Sequence, residues 1–408
     1  MTPMSETNQQ SHTPSPQTSL KPVRSLGRKQ AEVQGRLTAL IQQLGPRVKL
    51  PTTTELREML GISVVTLNSA LKALETQELI TRRPGIGVFT SERVGQRRIA
   101  LLCNAFYFCD SGVSPFWSIL LERLQERASL ENERAEIFLC TQDEFTRQQI
   151  LSPSLMDDLR TGLFEGVLTI GITKEPMEWL DSLAVPCVGF AGPGKDSVRL
   201  RDEGVIRLGI QALVEQGCRR IAYWQRSHHI TLPPSPSFFQ PNPASQIVAR
   251  VLQQHGLTFD PRLFQDNRHL LVPPEYRVPF GHQEQGYRLA EMTFGKDSSI
   301  PPPDGIVSGD DMMTLGILAY LRQHDIPVGE HLRIASHANK GSNVLLGWED
   351  ELTLIEFDPA ELVDALFTRL HLRMTGDYSV SPVNVVYIEP QLKVSSSTHT
   401  LSERNLLQ

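Results

Sequence analysis

The reactive side chains of this 408-residue chain do not gather. Its five cysteines, Cys103, Cys109, Cys140, Cys187 and Cys218, are odd in number, scattered and without a Cys-x-x-Cys pair. They read as reduced thiols in a reducing compartment, and no cluster has the ligand spacing of a structural zinc site. The adjacent His228 and His229 could ligate a metal, but they lie among Pro and Ser residues where an ordinary loop is expected. Residues 189–195 (GFAGPGK) hold glycines and a lysine without the spacing of a phosphate loop. No Ser/His/Asp set is recognisable. The expectation is a protein that binds rather than catalyses, with no metal and no other cofactor.

What gathers instead is charge. Residues 1–98 hold 14 Lys/Arg against 7 Glu and no Asp, a balance of +7, whereas the remainder holds 26 basic and 39 acidic residues, a balance of −13. A basic head on an acidic body is expected when only the head meets a polyanion, although acidic bodies also serve solubility. The composition, 40% hydrophobic and 21% charged, is that of a globular protein, and the length calls for two or three domains. The N-terminus has no apolar signal core, and no run approaches the roughly 20 residues of a membrane span. The chain is expected in the cytoplasm, away from membranes.

The elements that must position these groups follow from periodicity. Residues 1–25, rich in Ser, Thr, Gln and Pro, are expected to be a disordered tail. Val33, Leu37, Leu40, Ile41 and Leu44 recur at helical spacing over 28–44. Two short helices follow, 52–60 with Thr52 and Glu55 as a capping box, and 63–77 capped by Ser63, separated by a turn at Gly61. Helix, short Gly-containing turn, helix is a helix-turn-helix pattern. Arg82 to Gly87, between Ile80 and Val88-Phe89, reads as a hairpin with a glycine-rich tip, a wing. Beyond Arg98, short apolar strands (99–103, 137–140, 166–170, 185–190, 221–224, 305–308, 332–336) alternate with helical stretches (117–130, 207–216, 315–323, 359–374). Such alternation predicts an α/β fold of parallel sheets covered by helices, in two lobes. The Pro-rich stretches 232–243 and 272–279 are expected as loops. The resulting division is a tail to 25, a winged helix-turn-helix over 26–92, a two-lobed domain over 98–398 and a tail over 399–408.

Residues 50–90, LPTTTELREMLGISVVTLNSALKALETQELITRRPGIGVFT, resemble the GntR-type winged helix-turn-helix almost without gaps. The resemblance implies that the second helix enters the major groove of double-stranded DNA while the wing approaches the minor groove. Carried onto this sequence, the DNA-binding candidates are Thr52, Thr54, Ser63, Val64, Thr66, Asn68, Lys72, Arg82, Arg83, Gly85 and Gly87. Thr66 and Asn68 are placed to reach base edges, and Lys72 to meet phosphate. Relatives usually carry arginine at the positions of Thr54, Val64 and Asn68, and often a polar or basic residue at Ile86. The operator is therefore expected to differ from the usual one, with more affinity drawn from Lys21, Arg24, Arg28, Lys29, Arg82 and Arg83 and a shallower salt dependence.

Residues 98–394 resemble the effector-binding domain of the lactose/galactose-repressor (LacI/GalR) family, itself similar to periplasmic sugar-binding proteins. The resemblance is carried by 114–128 (SPFWSILLERLQERA), 207–224 (RLGIQALVEQGCRRIAYW) and 305–321 (GIVSGDDMMTLGILAYL). It implies two lobes joined by three crossovers, with a small molecule, a sugar in the first instance, held between them by polar side chains and an aromatic wall. The effector-binding candidates are Phe116, Trp117, Arg207, Asp310, Asp311, Asn339 and Phe357. For Arg207 a salt bridge at a helix start, and for the two aromatics plain core packing, are the competing readings. Ala338 and Asn339 stand where relatives have an acidic pair, and Phe357 where a polar contact often stands. A less polar ligand, or none, is compatible with those changes.

Together the two resemblances imply a homodimeric transcription regulator, a repressor in the first instance, on a palindromic operator. Cleft closure by ligand would re-space its DNA-binding heads. The alternative is a regulator with a degenerate cleft, switched by a protein partner or by abundance. The connector 91–96 is short and polar, with no evident hinge helix.

Overall fold

The computed structural model describes residues 24–109, 114–143, 148–226, 242–266, 281–376 and 384–393. The expected tails (1–23 of the first, all of 399–408), Lys21, His228-His229 and the loops 232–241 and 272–279 lie outside these residues. The chain divides into two compact units, Met1–Gln96 and Arg97–Gln408.

In the first unit, α1 (Arg24–Leu44), α2 (Thr53–Leu60) and α3 (Val64–Thr76) precede a hairpin of β1 (Ile80–Arg83) and β2 (Gly87–Thr90). Val33, Leu37 and Ile41, four residues apart on α1, bury against the stripe Leu67, Ala70, Leu71 and Leu74 of α3. The capping box at α2 is complete: the Thr52 hydroxyl accepts from Glu55 N at 3.3 Å, and Glu55 Oε2 accepts from Thr52 N at 2.7 Å. These bonds satisfy two of the donors that a helix start leaves open. The connector is not wholly polar in its packing, because Val94 is buried in the same small core.

The second unit begins with β3 (Arg97–Asn104), α4 (Phe106–Cys109), α5 (Phe116–Leu130), β4 (Glu133–Cys140), α6 (Pro153–Arg160), β5 (Gly166–Ile170), α7 (Lys174–Asp181), β6 (Cys187–Phe190) and β7 (Asp196–Leu200). It continues with α8 (Asp202–Glu215), β8 (Ile221–Trp224), α9 (Pro243–Gln254), β9 (Phe264–Gln265), α10 (His282–Phe294), β10 (Gly305–Ser308), α11 (Asp311–Gln323), β11 (Arg333–Asn339) and β12 (Leu352–Phe357). It closes with α12 (Pro359–Thr375), β13 (Asn384–Ile388) and β14 (Gln391–Leu392). The strands form two six-stranded sheets, β13-β7-β6-β5-β3-β4 and β14-β12-β11-β10-β8-β9, parallel throughout except for β14 on β12. Among the described residues the chain passes between sheets after β7, after β12 and after β13. The fold is thus the expected two-lobed α/β arrangement. Strands β5, β8 and β10 are buried along their whole length, as parallel strands covered on both faces must be.

Several elements depart from the sequence expectation. Strands β7, β9, β12, β13 and β14 were not anticipated, β11 runs on to Asn339, and α8 starts at Asp202 rather than 207. The polar and charged residues of β7 (DSVRL) mask its strand character, although its first three residues are fully buried. In the second lobe α10 and α11 touch backbone to backbone. A Cβ on Gly286 would lie 1.9 Å from the Met313 carbonyl oxygen, and one on Gly316 1.8 Å from that of Gln283. This close approach brings the N-termini of the two helices, His282 and Asp310-Asp311, together.

Candidate functional sites: the winged helix and the interlobe cleft

On the winged helix, Ser63 caps α3 and its hydroxyl lies 2.9 Å from that of Thr66. Opposite the buried stripe, Val64, Asn68 and Lys72 follow one another at four-residue spacing and are all exposed, as is Val65 beside them. Thr54 is exposed on α2, and Thr52 is engaged in the capping box. In the hairpin, Arg82 pairs with Glu75 at 3.0 Å, and the Arg83 guanidinium lies over the Phe89 ring at 4.7 Å. Both arginines remain exposed but are oriented by these partners. Gly87 holds a φ of 138°, a backbone conformation that favours glycine, and packs over the movable end of the Lys49 side chain. Of the basic residues expected to add affinity, Lys21 lies outside the described residues, and Arg24, Arg28 and Lys29 lie on α1.

Between the two lobes lies a cleft of about 560 Å³. It opens beyond the carboxyl ends of the parallel strands, where ligands of open α/β sheets bind. One wall is aromatic. Trp117 stacks on Tyr107 with ring centroids 4.0 Å apart, and Phe116 and Phe190 pack edge-on or tilted around it. The facing floor is polar and buried. Asp310, the N-cap of α11, accepts from Met313 N at 2.9 Å, while its other oxygen faces Arg226 Nε at 3.1 Å and His282 Nδ1 at 3.4 Å. Burial alone would raise its pKa, yet the His282 hydrogen bond and the Arg226 charge hold it well below the ordinary carboxylate range.

Asp311 accepts from Ser114 Oγ and from Asn339 Nδ2, each at 3.2 Å, and from Met312 N at 2.9 Å. Burial and the neighbouring Asp310 charge push its pKa up despite those donors. Burial likewise pushes His337 down, towards the neutral imidazole, against the pull of Asp311 and Asp310. His337 Nδ1 and Asn339 Oδ1 are buried and have no hydrogen-bond partner among the described residues. A buried polar atom left open costs stability, so this floor is built for an additional donor or acceptor. Arg199 and Asp202 line the mouth and form no ion pair among the described residues.

Five of the seven expected effector residues therefore line one cleft: Phe116, Trp117, Asp310, Asp311 and Asn339. Arg207 does not. It sits on the exposed face of α8, because that helix starts five residues earlier and turns Asp202, rather than Arg207, to the cleft. Phe357 does not either; it is 1% exposed and packed in the core, with its ring centroid 5.4 Å from that of His337. Residues the sequence reading missed are Tyr107, Ser114, Phe190, Arg199, Asp202, Arg226, His282 and His337. Ser114 opens a stretch that carried the resemblance and His337 directly precedes Ala338 and Asn339, whereas Arg226 and His282 border segments with no readable pattern. Burial pushes the Cys103 and Cys187 thiols up to about 12, which keeps both in the unreactive thiol form.

Residues 29–90 match the family model of bacterial regulatory proteins, gntR family, and residues 210–398 match that of the periplasmic binding protein-like domain. The two matches fall in different units of the chain, the first in the head and the second in the two-lobed body. Among solved structures, a regulatory protein of the LacI family from Chloroflexus aggregans is 17% identical with a TM-score of 0.56, over 74% of this chain and 98% of that one. The transcriptional regulator CelR in complex with cellobiose is 18% identical with a TM-score of 0.53, over 82% and 90%. The trehalose repressor from Escherichia coli is 18% identical with a TM-score of 0.50, over 73% and 100%. At these identities the likeness is one of fold. No curated protein matches the chain. No helix among the described residues is long and apolar enough to cross a membrane.

Proposed function

We propose that this regulator binds double-stranded DNA through its winged helix and that its grip is set by a hydroxyl-rich small molecule, a sugar, held in the interlobe cleft. The DNA half of the reading is supported by the basic first unit (12 Lys/Arg against 7 Glu in residues 1–96), the GntR-family match and the exposed face of α3 that carries Asn68 and Lys72. Thr52, Thr54, Ser63, Val64, Thr66, Asn68, Lys72, Arg82, Arg83, Gly85 and Gly87 form its contact set. In this reading the protein is a homodimeric repressor on a palindromic operator, with two such heads on successive half-sites.

The observation that carries the sugar reading is the pairing of a stacked aromatic wall with buried, unsatisfied polar atoms. Trp117 and Tyr107 offer a flat apolar face, and Asp311, Asn339 and His337 offer acceptors and a tautomer-adjustable nitrogen opposite it. A pyranose has the same two aspects: an apolar ring face and a rim of hydroxyls. A cavity of about 560 Å³ is of the size that takes small ligands. A structural neighbour, CelR, is described in complex with cellobiose.

Thermal unfolding of the full chain against neutral mono- and disaccharides tests the cleft. A cognate ligand at 100 times its Kd stabilises by about 2.7 kcal/mol. The same ligand must then change the retardation of a selected DNA duplex. If the panel leaves both unfolding and DNA affinity unchanged, the sugar reading fails.

A further inference from the structure

Val64 and Val65 form an apolar pair at the start of α3 that the fold does not use. They are 47% and 79% exposed. The helix makes its core contact through Leu67, Ala70, Leu71 and Leu74 instead. Local propensity does not ask for them either, since β-branched residues form helix less readily than straight-chain ones or alanine. At 3.6 residues per turn Val64, Asn68 and Lys72 succeed one another along the helix, with Val65 alongside. The four thus share one exposed face whose far end is polar and cationic. The excess of 12 Lys/Arg over 7 Glu in residues 1–96 makes the unit complementary to a polyanion.

A valine in a DNA groove can bond neither phosphate nor a base's donors and acceptors. The apolar group that the major groove offers is the 5-methyl of thymine. We propose that Val64 and Val65 read thymine methyl groups, so that each half-site carries A·T pairs beneath the first turn of α3. Asn68 and Lys72 then meet base edge and phosphate farther along the same face. The link between the Ser63 and Thr66 hydroxyls holds the first turn in place and keeps both hydroxyls at the cap. The inference rests on the DNA-binding reading of the winged helix and adds to it what the helix recognises.

The test uses the full chain and a library of randomised duplexes, from which bound sequences are selected. Each thymidine of a selected duplex is then replaced singly by deoxyuridine, which removes only the methyl group. A·T pairs should recur at fixed positions, and deoxyuridine at a contacted position should weaken binding about fourfold, the equivalent of one buried methyl. Val64→Ala and Val65→Ala improve helix propensity and leave Asn68 and Lys72 in place, so they should fold normally while losing that response. Equal binding of thymine and uracil duplexes by the unaltered protein overturns the proposal, as does a full response in both alanine variants. In either case sequence-selective binding persists and the winged-helix reading stands. Failure to retain any duplex from the library defeats the DNA-binding reading and this inference with it.

Discussion

The hydroxyl of Ser114 donates to Asp311 Oδ2 at 3.2 Å, tying a residue two before α5 in one lobe to the first residue of α11 in the other. The same hydroxyl accepts from Phe116 N at 3.3 Å, so its direction is set by the start of α5. Asp311 in turn holds Asn339 at the end of β11. The carboxylate is therefore the point at which both lobes and the proposed ligand compete for the same acceptor oxygens.

Asp311→Asn should raise the melting temperature near neutral pH. Burial and Asp310 push the Asp311 carboxyl above its ordinary value of 3.8, so the folded state holds a proton over a pH range in which the unfolded state has released it. Stability from this group is full below 3.8 and falls as pH rises through the elevated folded-state pKa. The amide keeps an acceptor for Ser114 and carries no charge to desolvate. Calorimetry should find the variant more stable near neutrality, with the difference vanishing around pH 4, and its ligand response reduced.

His337 gives the opposite sign. Burial lowers its pKa from 6.5, so its contribution to stability is complete above that value and is lost as pH falls through 6.5 towards the folded-state pKa. Relative to His337→Gln, the unaltered protein should lose melting temperature on acidification from about pH 7.5 to about 5.5. Parallel curves for the two proteins would count against a buried neutral imidazole.

Gly316→Ala should cost about 1–3 kcal/mol, the usual penalty for overpacking. Its Cβ would fall 1.8 Å from the Gln283 carbonyl oxygen, so α10 must move away from α11. That displacement separates His282 from Asp310, and ligand response should decline together with the melting temperature. An equally stable Gly316→Ala protein would show that the helices are not locked by this contact.

In the cleft, Arg199→Ala should weaken a cognate ligand by about tenfold, the loss of one charge-assisted hydrogen bond of roughly 1.5 kcal/mol. Arg207→Ala should leave ligand affinity unchanged, because that side chain lies on the exposed face of α8. Isothermal titration of both variants checks the pair, and a reversed order would restore Arg207 to the site.

Leu71→Ala should destabilise the N-terminal unit by about 2–5 kcal/mol, the range for truncating a buried leucine. Leu71 is 0% exposed in a core made only of residues from that unit. DNA retardation should be lost at temperatures where the unfolding of the larger unit is unchanged. A shared shift of both unfolding transitions would show that the two units melt as one.

Much of the architecture was legible because local rules and tertiary outcome coincide. The periodicity of α1, the capping box at Thr52 and Glu55, the turn at Gly61 and the buried runs of β5, β8 and β10 follow from spacing that needs no distant partner. The strand β7 was illegible because its buried residues are Asp196, Ser197 and Val198. Asp196 is carried inside by two arginines of α12: the Arg369 guanidinium donates to both its carboxylate oxygens at 2.7 and 3.0 Å, and Arg373 Nε donates at 3.4 Å. No window of sequence around β7 contains those partners. Because β7 runs to Leu200, α8 starts at Asp202, and that residue rather than Arg207 lines the cleft.

The sequence by itself determined a GntR-type head, a two-lobed α/β body and five of the residues that meet in the cleft, because each is written in short-range spacing or in a contiguous motif. Only the tertiary structure decided the rest of the cleft. Ser114, His282, His337 and Arg226 come from four elements that converge through sheet order and through the glycine contact of α10 with α11. Phe357, expected at the effector site in a position where relatives often have a polar contact, went to the core, because β12 is an inner strand of its sheet, flanked by β11 and β14. Burial there favours an aromatic ring over any hydrogen-bonding group without a partner.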